Sequence, residues 1–314
     1  MEGNKLGPFR LAPWFSSRPW GRRHLRPWYG AEAFEGTTEP VGEAWLTGPE
    51  SRIETGAEAG KTLASVMAER GAAIIGTASG EFPLLVKLLF PNEKLSVQVH
   101  PDDAHAQSMG QPRGKTECWY VLEAEPGAVI ALGLKPEATP DAVRAKIADG
   151  TLEELLHWVP VKAGEMVFVD AGTVHAIGPG VVLLETQQTC DITFRMYDYG
   201  RPRELHVEQA LKVMRAKTAA GKIAPRQMDG FVRLIEQKYF VVDRYDLTAG
   251  GEGVIPTAGR PGCLVGLTGT AVVIGGSEGQ VELTPGKAVV VPTDCAVVTV
   301  ETGVGASFVK CWAP

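Results

Sequence analysis

Cysteine is scarce in this chain and widely scattered. Only five cysteines occur among 314 residues, at positions 118, 190, 263, 295 and 311. Their number is odd and no Cys-x-x-Cys pair is present, which argues against a disulfide framework and against a zinc site built from four thiolates. This cysteine pattern is typical of a reducing compartment, so we expect a cytoplasmic protein.

Long hydrophobic runs and an excess of positive charge are also missing. The longest apolar stretch, FPLLVKLLF, is interrupted by Lys87 and is too short to span a bilayer. The first fifteen residues contain no apolar core of signal-peptide length. The formal charge is −6, and only the segment 17–26, SRPWGRRHLR, is locally basic. We therefore expect no nucleic-acid partner and no membrane partner.

Glycine and proline are plentiful, with 37 and 22 residues, and they separate short apolar runs. This punctuation predicts a mainly β protein. The predicted strands cover 84–89, 95–100, 118–122, 129–132, 166–169, 181–186, 192–197, 231–235, 240–245, 264–267, 271–274, 288–291 and 296–300.

Three helical segments interrupt the strands. The first spans 62–70 and should stop at Gly71. The second spans about 139–157: Thr139 caps it, Gly150 breaks it, and a capping box at Thr151-x-x-Glu154 restarts it. The third spans 204–215 and has apolar residues at helical spacing.

A faint internal repeat divides the chain. Residues 163–177, AGEMVFVDAGTVHAI, align with 285–299, PGKAVVVPTDCAVVT, so that His175 falls on Val297. Aligning 118–122 with the strand that ends at Leu267 places Glu117 opposite Gly262. We predict a first unit at 1–225, which carries the groups able to bind metal, and a second, metal-free unit at 226–314.

Four side chains of the first unit are candidate metal ligands. Gln98 and His100 lie two apart on one strand and so share a face. Glu117 starts the next strand, and His175 follows the turn at 170–173. Together they would supply two nitrogens and two oxygens, a mixture that suits a divalent metal such as zinc with room for substrate or water.

Charged residues within apolar segments are candidates for chemistry. Glu185, Asp191 and Arg195 lie in VVLLETQQTCDITFRMYDYGR, where a buried charge is costly unless it is paired or catalytic. The alternative is a structural pair of Arg195 with Asp191 or Glu185. Lys87 poses the same question, since its stem could pack while its ammonium reaches water.

Five segments together resemble the type I phosphomannose isomerases, in their shorter bacterial form. They are GEAWLTG (42–48), FPLLVKLLFPNEKLSVQVHPDD (82–103), GKTECWYVL (114–122), DAGTVHAIGPG (170–180) and ETQQTCDITFRMYDYGR (185–201). The resemblance implies a cupin fold: two jelly-roll barrels with a helical insertion, the second barrel without metal. Trp20-Gly21-Arg22 departs from the Trp-Gly-Gly that many members have.

The resemblance also implies roles for individual residues. One zinc ion per chain would be held by Gln98, His100, Glu117 and His175. Ser96 and Lys87 would contact the substrate phosphate. Arg195 would be the essential arginine, with Asp191 and Glu185 as its carboxylate neighbours, and Lys115 would lie near the metal.

The implied reaction interconverts mannose 6-phosphate and fructose 6-phosphate through an enediol. Lys115 and Glu185 are both candidates for the general base, and the sequence does not choose between them. A metal-dependent cupin dioxygenase and a non-catalytic sugar-binding cupin are the alternative functions. We expect a small-molecule sugar phosphate as the partner, and a monomer or small homo-oligomer.

Overall fold

The computed structural model describes residues 6–77, 80–276 and 279–314. It confirms the predicted mainly β fold class: antiparallel sheets dominate and helices are short. The helices are α1 (Leu63–Ile75), α2 (Asp103–Ser108), α3 (Pro140–Ala148) and α4 (Val207–Val213), with 3-10 turns at Ala31–Phe34 and Leu152–Leu155. No helix in these three ranges is long and apolar enough to cross a membrane.

The first unit is built on two facing sheets, with strands numbered along the chain. The large sheet has the order β13 (Gly221–Ile223), β9 (Met166–Val169), β6 (Glu117–Ala124), β11 (Val181–Gln188), β4 (Leu84–Leu89), β3 (Val41–Trp45) and β2 (Trp14–Arg22). The small sheet has the order β12 (Phe194–Tyr197), β5 (Val97–Val99), β10 (His175–Ile177), β7 (Val129–Leu134) and β8 (Leu156–Pro160).

The second unit repeats this plan. Its large sheet has the order β1 (Phe9–Leu11), β21 (Ala288–Val291), β18 (Gly262–Gly269), β23 (Ala306–Trp312), β16 (Val241–Leu247), β15 (Val232–Glu236) and β14 (Arg226–Gln227). Its small sheet has the order β17 (Glu252–Pro256), β22 (Val297–Glu301), β19 (Ala271–Ile274) and β20 (Gln280–Leu283).

The registers of the two large sheets support the repeat found in the sequence. Trp119 pairs with Val167 in the first, and Leu264 pairs with Val289 in the second, as the two sequence alignments require. One strand crosses between units: β1 pairs with β21 at the edge of the second large sheet. The division of the chain at 225 and 226 stays a prediction.

The two large sheets pack face to face through one hydrophobic cluster. Side chains alternate along β4, so Leu84, Val86 and Leu88 enter this shared cluster, whereas Leu89 faces the interior of the first unit. Lys87, two positions before Leu89, therefore faces the same interior. This alternation delivers charged side chains to the space between the sheets of the first unit.

The helices differ from the sequence prediction mainly at their ends. The first one breaks at Arg70 but resumes, and it ends at Gly76, whose φ of 75° suits a residue without Cβ. Thr139 caps α3 as predicted. The predicted restart at Thr151 was wrong: its hydroxyl binds Asp149 instead of capping, and the chain enters strand β8 at Leu156 after only a 3-10 turn.

The last helix is also shorter than predicted. The spacing favoured 204–215, but α4 covers only Val207–Val213, with His206 before its first residue. The backbone of His206 instead pairs with Arg195, because its N–H donates to the Arg195 carbonyl at 2.7 Å. The residue before α4 therefore pairs with the backbone of β12 beside the candidate site instead of forming a helical turn.

Candidate active site

The centre of the small sheet brings together three predicted residues. Gln98 lies in the middle of β5, paired with His175 on β10 at one side and with Arg195 on β12 at the other. Adjacent strands place paired side chains on the same face, so all three lie side by side. Ser96 precedes them on the same segment, with its hydroxyl 3.3 Å from Oε1 of Gln98.

Three of the four predicted ligands form a tight cluster between the sheets. Oε2 of Glu117 lies 3.6 Å from Nε2 of His100, and Oε1 lies 3.4 Å from Nε2 of His175. The ligand atoms of these three residues all lie within 4.8 Å of one another. The Gln98 amide borders the cluster, with Nε2 3.2 Å from Nε2 of His175.

Hydrogen bonds orient both imidazoles toward the cluster. Nδ1 of His100 faces the Ile192 carbonyl at 2.9 Å, and Nδ1 of His175 faces the Thr173 carbonyl at the same distance. Each ring therefore donates from Nδ1 and presents Nε2 as a lone pair. Carbonyl partners of this kind fix the rings of metal-binding histidines.

Three buried ligand atoms of the cluster make no hydrogen bond. Nε2 of His100 and both carboxylate oxygens of Glu117 are buried without a hydrogen bond. Burial lowers the pKa of His175 to about 4 and lowers the pKa of His100 well below its ordinary value, so both rings are neutral at pH 7. Burial also raises the pKa of Glu117. Neutral imidazole nitrogens and carboxylate oxygens that make no hydrogen bond are suitable ligand atoms for a divalent metal ion.

A cavity of about 440 Å³ opens beside this cluster. Its lining includes seven predicted site residues: Lys87, Ser96, Gln98, Lys115, Glu185, Asp191 and Arg195. His100, Glu117 and His175 lie behind this surface and are at most 2 % exposed. The volume falls within the range of small-molecule sites.

Lys87 is held by acids rather than solvated. Its side chain is 2 % exposed, and Nζ lies 3.2 Å from Asp191 Oδ1 and 3.6 Å from Glu185 Oε2. Nζ also lies 4.3 Å from the ring centroid of Trp45. Burial alone would raise the pKa of Asp191, but Lys87 and Lys115 lower it overall. The Lys87 ammonium is therefore paired with carboxylates at the cavity wall rather than solvated at the outer surface.

Arg195 does not form the structural pair considered from the sequence. Its Nη1 donates to the Glu204 carbonyl at 2.8 Å, and its Nε is buried without a hydrogen bond. Within the described ranges, no carboxylate lies within 4.0 Å of this guanidinium, because Asp191 and Glu185 face Lys87. Its charge is therefore available to a ligand.

The two candidate bases differ in their surroundings. Nζ of Lys115 lies 3.4 Å from Glu117 Oε2, and although burial opposes its charge, Glu117 and Glu185 raise its pKa overall. Glu185 accepts a hydrogen bond of 3.1 Å from Trp119 Nε1. Burial, together with the charge of Glu117, raises the pKa of Glu185 to about 6.

Sequence reasoning missed three charged residues of the cavity wall: Arg18, Glu43 and Arg203. Glu43 accepts from Trp45 Nε1 at 2.7 Å and from Arg18 Nη2 at 3.0 Å. The sequence signal that could have identified Glu43 is that it is the one charged residue of the apolar segment 41–45. Arg18 belongs to the locally basic segment 17–26, and β2 carries it to the cavity.

Comparisons with known proteins identify similar sequences. A sequence model of the catalytic domain of type I phosphomannose isomerase matches residues 8–133. The mannose-6-phosphate isomerase of Streptococcus mutans is 36% identical over 254 residues, covering 77% of this chain and 79% of the relative. Mannose-6-phosphate isomerase ManA of Bacillus subtilis is 34% identical over 257 residues, covering 77% and 80%.

Solved structures give the same result. The mannose 6-phosphate isomerase structure from Bacillus subtilis superposes with a TM-score of 0.83 at 28% identity, covering 98% of this chain and 99% of that one. A variant of phosphomannose isomerase from Salmonella typhimurium gives a TM-score of 0.77 at 17% identity, covering 98% and 100%. The second likeness concerns the fold alone.

Proposed function

The chain belongs to the type I phosphomannose isomerase family, and on this premise we propose that it interconverts mannose 6-phosphate and fructose 6-phosphate. The observation that carries the proposal is the position of the cluster of His100, Glu117 and His175. Its buried atoms without hydrogen bonds lie directly behind a cavity whose wall includes Arg195 and Lys87. A metal site beside the uncompensated positive charge of Arg195 suits a phosphorylated sugar.

We propose zinc as the metal, one ion per chain. His100, Glu117 and His175 would hold it, and Gln98 would add an oxygen if its amide turned Oε1 toward His175. Neutral imidazoles and one carboxylate are ligands that zinc favours. Such an ion supplies polarisation of the substrate's carbonyl and hydroxyl oxygens without a proton of its own.

The proton transfer is assigned to Glu185. Isomerisation moves a proton from C2 of the aldose to C1 of the ketose through an enediol, so one carboxylate on the cavity wall can remove and return it. Glu185 lies on that wall, and Trp119 fixes its orientation. Lys115 is the other candidate, but its ammonium is engaged by Glu117.

The remaining residues bind and orient the substrate. Ser96 and Lys87 are proposed to hold the phosphate, as hydroxyl donor and point charge. Arg195 keeps its charge at every physiological pH, and it is proposed to stabilise the developing enediolate oxygen. A cytoplasmic location and the monomeric or small oligomeric state stay predictions.

A coupled assay with mannose 6-phosphate tests the proposal directly. We expect turnover that chelation abolishes and that zinc restores, with metal analysis giving one ion per chain. Activity that persists in a verified metal-free sample would contradict the metal assignment. Oxygen consumption without isomerisation would favour the dioxygenase, and sugar-phosphate binding without turnover would favour the non-catalytic cupin.

A further inference from the structure

The second unit carries charged residues at the positions that form the catalytic cavity of the first. Glu185 pairs with Lys87 across β11 and β4, and Lys310 pairs with Asp243 across β23 and β16. The matching neighbours agree, since Trp119 pairs with Glu185 and Leu264 with Lys310. The two units therefore place charge in the same interior position, with the signs exchanged.

Metal donors are missing from the matching positions of the second unit. His175 pairs with Gln98 in the first small sheet, and Val297 pairs with Pro256 in the second. The sequence repeat places Gly262 at the position of Glu117, and each of these residues begins its strand. Valine, proline and glycine side chains offer no ligand atom, so this interior does not repeat the metal site.

Cationic side chains gather there instead, around Trp312. Nζ of Lys310 and the guanidinium carbon of Arg260 each lie 4.8 Å from the Trp312 ring centroid. Arg233 lies farther away, at 5.9 Å, and is neutralised by Asp243, whose Oδ1 is 2.8 Å from its Nε. Asp243 also accepts from Trp312 Nε1 at 3.1 Å, so its oxygens are occupied.

Lys310 and Arg260 have no acidic partner. In the described parts of the chain, neither has a carboxylate within 4.0 Å, and Lys310 donates only to the Pro256 carbonyl. The Lys310 side chain is nevertheless buried, at 8 % exposure, whereas Arg260 is exposed. Burial lowers the pKa of Lys310 to about 8; the charge of Asp243 opposes this shift, and those of Arg233 and Arg260 add to it. An unpaired buried ammonium is costly unless an anion joins it.

The space between these two cations is small. A cavity of about 10 Å³ is lined by Lys310, Arg260, Trp312, Thr257 and Gly262. It has room for about one water-sized group. A single oxygen of an anion can therefore enter and approach Lys310, while the rest of the ligand would lie outside beside the exposed Arg260.

We propose that the second unit binds a phosphate group, free or as an ester, at the mouth of this cavity, with one oxygen directed to Lys310 and the others to Arg260. A dianion balances two unpaired cations, and it receives a point charge from lysine and a planar fork of donors from arginine. Trp312 holds both cations by its ring face. The site is separate from the isomerase cavity, so the second unit is a ligand-binding unit as well as a scaffold.

Titration with inorganic phosphate, followed by tryptophan fluorescence at fixed ionic strength, tests this site. We expect a saturable response in the wild-type chain and in Arg195→Ala, and loss of that response in Trp312→Phe. Lys310→Met and Arg260→Gln should each raise the phosphate Kd at least tenfold. Arg226→Gln is the matched control, since it removes an exposed arginine of the same unit that is paired with Glu236.

Two variants test the site independently of each other. Lys310→Met replaces a buried charge by an apolar side chain of similar length, and such replacements often preserve stability. If Lys310→Met fails to fold, the Arg260→Gln variant, which changes an exposed residue, provides the test. An unchanged Kd in a folded Lys310→Met or Arg260→Gln variant, or an equal response to sodium chloride, would overturn the proposal.

A second arm distinguishes the two sources of phosphate. Glucose 6-phosphate replaces inorganic phosphate in the same titration. Tighter binding of the ester, lost in Lys310→Met, would identify a sugar phosphate as the ligand, and equal binding would identify the phosphate group alone. Isomerase activity without added phosphate should be the same in Lys310→Met and wild type, which separates this site from the catalytic one.

Discussion

Five cationic side chains line the catalytic cavity, and carboxylates hold four of them. Arg18 faces Glu43, Lys87 faces Asp191, Lys115 faces Glu117, and Arg203 faces Asp198. Arg195 differs because its guanidinium meets only a backbone carbonyl. A fixed but uncompensated charge is what a developing oxyanion requires, since no partner has to be displaced.

Replacing Arg195 should therefore affect catalysis far more than folding. We expect Arg195→Gln to lower kcat/KM by about 100-fold or more, and to change the free energy of unfolding by less than about 1 kcal/mol. Arg18→Gln is the comparison, because it leaves the buried Glu43 short of a partner and should cost about 1–3 kcal/mol. Steady-state kinetics and thermal denaturation measure both; an Arg195→Gln chain that merely melts would contradict the assignment.

Glu185 and Lys115 can be separated by following the migrating proton. Because removing a general base costs about 10²–10⁴ in rate, we expect Glu185→Gln to lower kcat by that factor with little change in KM. Exchange of deuterium from solvent into the sugar, measured by NMR, should stop as well. Preserved exchange in Glu185→Gln together with its loss in Lys115→Met would transfer the role to the lysine.

Spacing along one segment places Gln98 and His100 on the same strand face, as the sequence predicts. Glu117 and His175 reach them from other strands, and the roles of all four residues stay predictions. The pairing of Lys87 with Asp191 could not be predicted from the sequence, because it joins residues 104 positions apart. Contacts of this kind depend on the order of strands in a sheet, which local pattern does not encode.

At the level of elements, strands that are uninterrupted apolar runs were predicted well, whereas strands with several polar residues were missed. Strands β4, β9, β19 and β21 have the predicted bounds. The edge strand β2 was missed because its residues, WFSSRPWGR, alternate too weakly to stand out. A strand at the edge of a sheet is held by backbone pairing, so its side chains carry little signal.

The helical insertion offers a test of capping with an internal control. The hydroxyl of Thr139 accepts from the Ala142 N–H at 3.2 Å, whereas Thr151 makes no capping bond. We expect Thr139→Ala to lower the free energy of unfolding by about 1 kcal/mol and Thr151→Ala to lower it by less than about 0.5 kcal/mol. Urea unfolding curves measure both, and equal losses would contradict the assignment of the cap.

At the scale of the whole molecule, the two units share their core. Leu84 and Val86 of the first large sheet lie in the same buried cluster as Val265 and Val309 of the second. The repeat predicted two copies of one β-unit, but it did not predict that their large sheets pack against each other. The one sequence feature that indicates this packing is the presence of apolar residues on both faces of β4 and β18.

A shared core should make unfolding cooperative. We expect a single calorimetric transition with a van't Hoff enthalpy equal to the calorimetric one. Phe9→Ala, which empties a buried position in β1, should lower the midpoint of that one transition by several degrees without splitting it, because it costs about 3–5 kcal/mol. Two separate transitions would mean that the units unfold independently.

The position of β1 also has a consequence for the time order of folding. Phe9 pairs with Val290, so the first described strand completes its sheet with a partner from nearly the other end of the chain. A ribosome releases residue 9 long before residue 290, and domains generally fold in order of synthesis. The second large sheet can therefore close only after β21 has been synthesised, and until then the edge of β1 that pairs with β21 has no strand partner.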